Sequence, residues 1–330
     1  MNENNLKNNQ KVLYKLFYNS ISNNRLSNCY LLYGDLNSPL KTTALYLAKS
    51  LSCQSSIFAC DNCPSCKRFD LGKSPDSFFI DGSTETIKKN SIKELEEHFK
   101  YTSFEDNHIP TYVIHLVDNI TEEAANSLLK FLEEPKQDIV AFLTSHNIDS
   151  VLKTILSRST KVRVNPVDQK TYFSEICNLN YLSYNKDNKL SIFLSYVLSK
   201  ITSSIEEINS ILDNEQYVYS IEVVEDFFTL IVDNLKEAEY LLLSLTSKIK
   251  DNKCYNYLFL CLSILLSDIL SDNINEDCGI ADTLTNIPLS KKQLVNIKSI
   301  LEENYGLRRY NLNPIGTISR ILKIIEVNNE

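Results

Sequence analysis

The rhythm of apolar and polar positions changes once along this chain. Up to residue 165, short apolar runs alternate with longer stretches in which apolar residues recur every three or four positions. The runs at 29–33, 77–81, 112–117, 139–144 and 161–164 predict strands, and the stretches near 41–52, 91–101, 122–134 and 149–155 predict helices. Strands that alternate with helices imply parallel crossovers and a sheet covered on both faces. Val113-Ile114-His115-Leu116-Val117 and Ile139-Val140-Ala141-Phe142-Leu143 are continuous rather than alternating, as doubly buried parallel strands require. His115 inside such a strand reads as a hydrogen-bonded core histidine. In the 122–134 helix, Thr121 is the expected N-cap, and Glu122 and Glu123 favour the positive helix end. Ala124, Ala125, Leu128, Leu129 and Leu132 share one face, and Pro135 ends the helix.

After Val164 the alternation stops, and Pro166 interrupts the chain. Helical patterns follow at about 168–178, 187–203, 204–213, 218–250, 253–271, 290–304 and 314–327, the last opened by an Asn313 cap and Pro314. A break near Asp213–Tyr217 predicts a small helical domain at 166–214 and a larger one at 215–330, behind a sheet domain at 1–165.

Composition agrees with several domains. The chain has 330 residues, too long for one ordinary core, and is 43% hydrophobic and 23% charged. Its N-terminus, MNENNLKNNQ, is polar. The longest apolar stretch, Tyr255 to Leu270, is interrupted by Ser263, Ser267 and Asp268 and is too short to span a bilayer. No membrane association and a cytoplasmic location are therefore expected. Residues 1–165 hold 19 basic and 19 acidic side chains, and residues 166–330 hold 15 and 23, which accounts for the net charge of −8. An acidic C-terminal half suits protein partners better than a phosphate backbone, and a solvated acidic surface explains it equally well.

Cys53, Cys60, Cys63 and Cys66 form C-x6-C-x2-C-x2-C in "CQSSIFACDNCPSC". Four thiolates on tight turns match the tetrahedral preference of Zn²⁺ and leave no open position, so the expected site is structural. Disulfide pairing is the alternative, disfavoured in a cytosolic chain. Cys29, Cys177, Cys254, Cys261 and Cys278 lie mostly in apolar runs and are expected to be buried fillers.

"GDLNSPLKTT" (34–43) has the outline of a phosphate loop between a strand and a helix. Lys41 and Thr42 stand where G-x4-G-K-[ST] has its lysine and hydroxyl. Six residues rather than five separate Gly34 from Lys41, Pro39 offers no N–H, and Leu40 carries a Cβ where glycine allows close approach. Asp118, where the strand in "VIHLVDNI" is expected to end, is a candidate Mg²⁺ ligand, but Asn119 follows it, and an amide is no general base.

Together these pieces resemble the AAA+ subunits of the bacterial DNA polymerase III clamp loader. The resemblance is carried by "NNRLSNCYLLYG" (23–34), the zinc module, "KSPDSFFID" (73–81), "SIKELEEHF" (91–99), "TEEAANSLLKFLEEP" (121–135) and "TILSRST" (154–160). "LRRYNLNPIGTISRIL" (307–322) resembles the family's last collar helix. The match is dense over 1–165 and thin beyond. Within the family the spoiled loop is similar to the delta-prime type rather than the ATP-hydrolysing gamma/tau type, whose members have glutamate where Asn119 stands.

The resemblance implies an α/β plus all-α fold: an AAA+ P-loop-type parallel sheet with a zinc module at 53–66, a helical lid at 166–214 and a helical collar at 215–330. It implies no intrinsic ATP hydrolysis, with Lys41, Thr42 and Asp118 left as a degenerate nucleotide site able to make at most a weak contact. It implies partnership with gamma/tau and delta subunits, and action on a sliding clamp and primed DNA through the assembly. Arg158 matches the arginine that reaches the ATP of an adjacent subunit, although Ser159 stands where the family has cysteine. A surface arginine in a salt bridge is the plainer reading of Arg158. Two rival readings of the whole chain are an active gamma/tau-like ATPase with a diverged loop, and a zinc-bearing interaction protein outside replication.

Overall fold

Every residue of the two central apolar strands is buried. They are β3 (Thr111–His115) and β4 (Val140–Ser145), and they pair in parallel with β1 (Cys29–Tyr33), β2 (Ser77–Asp81) and β5 (Thr160–Arg163) in the order β2-β3-β4-β1-β5. The computed structural model describes residues 1–83, 85–101, 109–133, 139–178, 191–248, 252–306 and 314–326. These residues divide into two compact units, Met1–Val167 and Asp168–Glu330.

In the first unit the strands are joined by helices α1 (Glu3–Asn9), α2 (Lys11–Ser22), α3 (Leu40–Leu51), α4 (Pro64–Asp70), α5 (Lys89–Tyr101), α6 (Glu122–Glu133) and α7 (Lys153–Leu156). Successive strand residues serve opposite faces, as the pleat requires. Tyr30, Leu32, Val113 and Phe142 join Phe17 of α2 and Ala44 and Leu47 of α3 in one core. Cys29, Leu31, Ile114, Ala141 and Leu143 join Leu95 of α5 and Ala124, Ala125 and Leu128 of α6 in the other. Thr121 caps α6, its hydroxyl accepting from the Ala124 N–H at 3.3 Å.

Several boundaries differ from expectation, each for a local reason. The polar N-terminus is helical, because the Asn2 side chain caps α1 at the Asn5 N–H and Leu6, Leu13 and Phe17 are buried. The third strand stops at His115, since Leu116 turns into the left-handed region at φ 52°. The 149–155 stretch is a 3-10 turn at Ile148–Ser150 followed by the single turn α7.

The second unit contains α8 (Gln169–Asn178), α9 (Ile192–Ile201), α10 (Ile205–Leu212), α11 (Glu215–Asp233), α12 (Leu235–Lys248), α13 (Asn252–Leu270), α14 (Ala281–Thr285), α15 (Lys291–Gly306) and α16 (Pro314–Glu326). The pattern expected as one helix at 218–250 is two helices, divided at Asn234 in an extended conformation. Helix α13 packs against α11 and α15, burying Leu258, Cys261, Leu262, Leu265 and Leu266. Its buried Asp268 is compensated, receiving hydrogen bonds from the Tyr196 hydroxyl at 2.7 Å and the Lys200 ammonium at 2.9 Å. Of the cysteines read as fillers, Cys29, Cys254, Cys261 and Cys278 are buried, and Cys177 is exposed. Pro135, Asn313, the tail match over 307–313 and the first residues of the 187–203 pattern lie outside the described residues. No described helix is long and apolar enough to cross a membrane.

Candidate nucleotide site and metal centre

The loop after β1 is pinned to the protein. Gly34 is required there, because a Cβ would lie 2.5 Å from the Val164 carbonyl oxygen and from Ser38 Oγ. The Ser38 hydroxyl donates to Val164 O at 2.9 Å. Pro39 precedes α3 and makes no side-chain cap, and Leu40 points into the core at 1% exposure. A side chain buried in this way cannot yield its place to a phosphate oxygen.

Lys41 has a partner of its own. Its ammonium lies 2.7 Å from Asp81 Oδ2 at the end of β2 and 5.2 Å from the centre of the Phe79 ring. Ser83 holds the other carboxylate oxygen through its N–H at 2.9 Å and its hydroxyl at 2.6 Å. Burial alone would raise the Asp81 pKa, but Lys41 and the Ser83 donors outweigh it and hold the carboxyl below its ordinary value. An incoming phosphate has to draw Lys41 away from this carboxylate. The Thr42 hydroxyl donates to Pro39 O at 3.2 Å.

Asp118 and Asn119 form the 3-10 turn after β3, at the same C-terminal edge of the sheet as the loop. The Asn119 amide donates to Gly82 O at 2.8 Å and accepts from the Thr86 hydroxyl at 3.3 Å. It is a tie between two strand ends, with its amide nitrogen aimed into the protein.

His115 is the core histidine expected from its strand. Its Nδ1 lies 2.7 Å from Thr144 Oγ1, and burial lowers its pKa to about 3. Because the folded value lies below the unfolded ~6.5, the unfolded chain binds the extra proton as the pH falls, and stability is lost from about pH 6.5 downwards. The expected loss from this group between pH 7 and pH 5 is ~2 kcal/mol. Urea denaturation at both pH values checks this: His115→Asn, whose amide occupies the position of the imidazole Nδ1 that meets Thr144, should lose less stability on acidification than wild type by that amount.

The four clustered cysteines meet. Cys53, Cys60, Cys63 and Cys66 are unbridged, and their sulfur atoms all lie within 4.8 Å of one another. A zinc tetrathiolate with bonds of ~2.3 Å has sulfurs about 3.8 Å apart, so small side-chain adjustments close the sphere. The backbone is arranged for thiolates: the Cys63 N–H donates to Cys60 Sγ at 3.3 Å and the Cys66 N–H to Cys63 Sγ at 3.4 Å. N–H groups of Asn62 and Cys63 hold the Cys60 thiol down to about 6, whereas burial pushes Cys66 up to about 12. Cys63 caps α4, with Pro64 at its first position. Phe58 anchors the loop, stacking on Tyr14 at 5.0 Å and on Tyr46 at 6.4 Å. The arrangement can hold a metal ion such as zinc.

Arg158 follows α7 with its guanidinium exposed. Nη1 donates to Thr154 O at 3.1 Å and to Ser157 Oγ at 3.3 Å, and Nη2 pairs with Glu133 of α6. Ser159 turns inward, donating to Ile155 O at 2.9 Å.

Asp81, Glu133 and Lys49, the partners of these sites, were not singled out from the sequence. Asp81 carried a signal, since it ends a strand at the edge of a parallel sheet where ligands gather. Glu133 and Lys49 read as ordinary helix residues.

Residues 9–168 match the family described as "DNA polymerase III, delta subunit". The delta' subunit of DNA polymerase III from Bacillus subtilis (strain 168) is 33% identical over 212 residues, 64% of this chain and 61% of that protein. A gamma subunit from Buchnera aphidicola subsp. Acyrthosiphon pisum is 30% identical over 166 residues, covering 50% of this chain and 45% of that protein. The chain thus spans only part of the length of these relatives. A solved gamma-subunit-related protein of Thermotoga maritima covers 95% of this chain and is itself fully covered, at 18% identity and a TM-score of 0.43.

Proposed function

From a chain that resembles the delta-prime subunit of the bacterial DNA polymerase III clamp loader, we propose a non-hydrolysing member of that assembly. It works beside gamma/tau and delta subunits in the cytoplasm and contributes to loading a sliding clamp onto primed DNA. Its own nucleotide site, at Lys41, Thr42 and Asp118, is silent. Arg158 is its chemical contribution, offered to ATP on the adjacent subunit. The Cys53, Cys60, Cys63 and Cys66 cluster holds a structural zinc ion. We assign 166–214 to a lid and 215–330 to the collar through which subunits associate.

The observation that supports silence most strongly is the buried Leu40 beside Pro39 at the start of α3. A working loop closes its backbone N–H groups around phosphates. Here one of those groups is missing and the neighbouring side chain belongs to the core. Asn119 adds a second, independent loss, because an amide tied to Gly82 does not activate water. The isolated chain should therefore show no ATP turnover above background in a phosphate-release assay with Mg²⁺. Turnover by clean protein that disappears in Lys41→Ala would overturn the silent-site reading.

The 30% identity to a gamma subunit favours one second reading, an active ATPase with a diverged loop. Equilibrium binding of ATP with Mg²⁺ separates the two. Micromolar affinity is expected of a live site and not of this one.

A further inference from the structure

Lys49, in the last turn of α3, has no part in the metal sphere, yet it is buried beside it. It is 8% exposed, and its ammonium lies 2.6 Å from Asp61 Oδ1 and 2.7 Å and 2.8 Å from the two oxygens of Asp70. These carboxylates come from the two chain segments that carry the remaining cysteines. Asp61 sits between Cys60 and Cys63 and is held at φ 61°, a left-handed conformation that a non-glycine residue adopts at a cost. Asp70 ends α4, the helix that Cys63 caps and that contains Cys66. Lys49 itself lies four residues before Cys53. One ammonium therefore ties together all three pieces of backbone that supply sulfur: the end of α3, the 60–63 turn and α4.

We propose that Lys49 is a positioning residue for the metal centre, holding the cysteine loop in its metal-ready shape before the ion arrives. The inference rests on the reading of the four cysteines as a zinc site. Lysine suits the task because a compact ammonium has three donors, which here meet three carboxylate oxygens. The ammonium is buried while both carboxylates are about half exposed, at 48% and 53%, so removing the cation leaves two like charges facing one another with only solvent to compensate them. The left-handed Asp61 turn then loses its external support. A metal binding to the loosened loop has to order it, and that cost appears as weaker affinity. Groups outside the coordination sphere that orient ligands commonly change metal affinity by about 10–100-fold when removed.

The role differs measurably from simple structural support. A lysine that stabilises the metal-free and metal-loaded chains equally lowers both melting temperatures and leaves the dissociation constant unchanged. A lysine that pre-forms the loop changes the dissociation constant. The test is competitive zinc titration and direct cobalt(II) titration of the reduced full chain, comparing wild type with Lys49→Met, Asp61→Asn and Asp70→Asn. Cobalt reports the geometry, because a tetrahedral thiolate site gives an intense visible band. The expected result is zinc affinity weakened about 10–100-fold in Lys49→Met, a smaller loss in each aspartate variant, and an unchanged cobalt spectrum at saturation. The spectrum stays constant because the four ligands are untouched. Wild-type affinity in a folded Lys49→Met would overturn the role while leaving the zinc reading intact. Should Lys49→Met fail to fold, the partly exposed Asp61 and Asp70 decide, and wild-type affinity in both variants would overturn it equally. A wild-type chain that takes up neither metal overturns the zinc reading and the Lys49 role with it.

Discussion

Replacing Arg158 with alanine is expected to leave the chain folded and assembled but to slow ATP hydrolysis at the neighbouring subunit by on the order of 10³–10⁵. That corresponds to ~4–7 kcal/mol of barrier. An arginine offered in trans places its planar fork on oxygens that gain charge as the phosphoryl group transfers. The observed surroundings fit such a role. The guanidinium is exposed, and its stem is steadied by Thr154 O and Ser157 Oγ in the short α7 turn. Its ion pair with Glu133 is a solvent-exposed one, the kind that contributes at most ~1 kcal/mol, so a phosphate can displace it cheaply. Ser159 is directed at the Ile155 carbonyl, so its departure from cysteine leaves the arginine's placement alone. Arg158→Lys should restore little of the lost rate, since a point charge does not reproduce two parallel hydrogen bonds. ATPase and clamp-loading assays on the reconstituted complex read both variants. Wild-type rates with Arg158→Ala would leave this arginine as an ordinary surface ion pair.

The second large effect concerns the metal. Protein purified under reducing conditions without chelators should contain about one zinc per chain by elemental analysis. Cys63→Ser, which removes one ligand and weakens the α4 cap together, should lose the ion. Structural zinc sites bind with apparent free energies of ~10–16 kcal/mol in small peptides. In this chain Phe58 also holds the loop by stacking on Tyr14 and Tyr46, contacts that do not involve the cysteine sulfurs. We therefore expect only part of that energy to appear as lost stability, with a melting temperature lower on the order of 10 °C. A zinc-free wild-type chain, or a Cys63→Ser variant that melts with wild type, would remove the metal from the account.

How much of this was readable beforehand depended on the range of the interaction. The strands at Cys29–Tyr33 and Ser77–Asp81 were legible to the residue, because a short apolar run between turns carries its own boundaries. The cysteine cluster was legible too, since its four sulfurs come from within fourteen positions and local turns bring them together. The helical N-terminus was hidden by its asparagines. Its three buried apolar residues, Leu6, Leu13 and Phe17, are too sparse to outweigh the polar residues between them. The division at Asn234 was hidden for the opposite reason, since the apolar rhythm runs through it and only the backbone turns away. The partners of the candidate side chains were least visible. Lys41 meets Asp81 across 40 positions and Arg158 meets Glu133 across 25, pairings that exist only once the strand order is known. The unusual spacing of the 34–43 loop could be read locally, but the burial of Leu40 needed the packed core.

The proposed function makes this chain a non-hydrolysing member of a working clamp loader. Native affinity purification of the tagged full-length chain from its own cells, with every co-eluting protein identified and quantified, tests it most directly. Gamma/tau and delta subunits of DNA polymerase III are expected in a fixed ratio to the chain. A chain that elutes alone, or with proteins unconnected to the replicative polymerase, would contradict it.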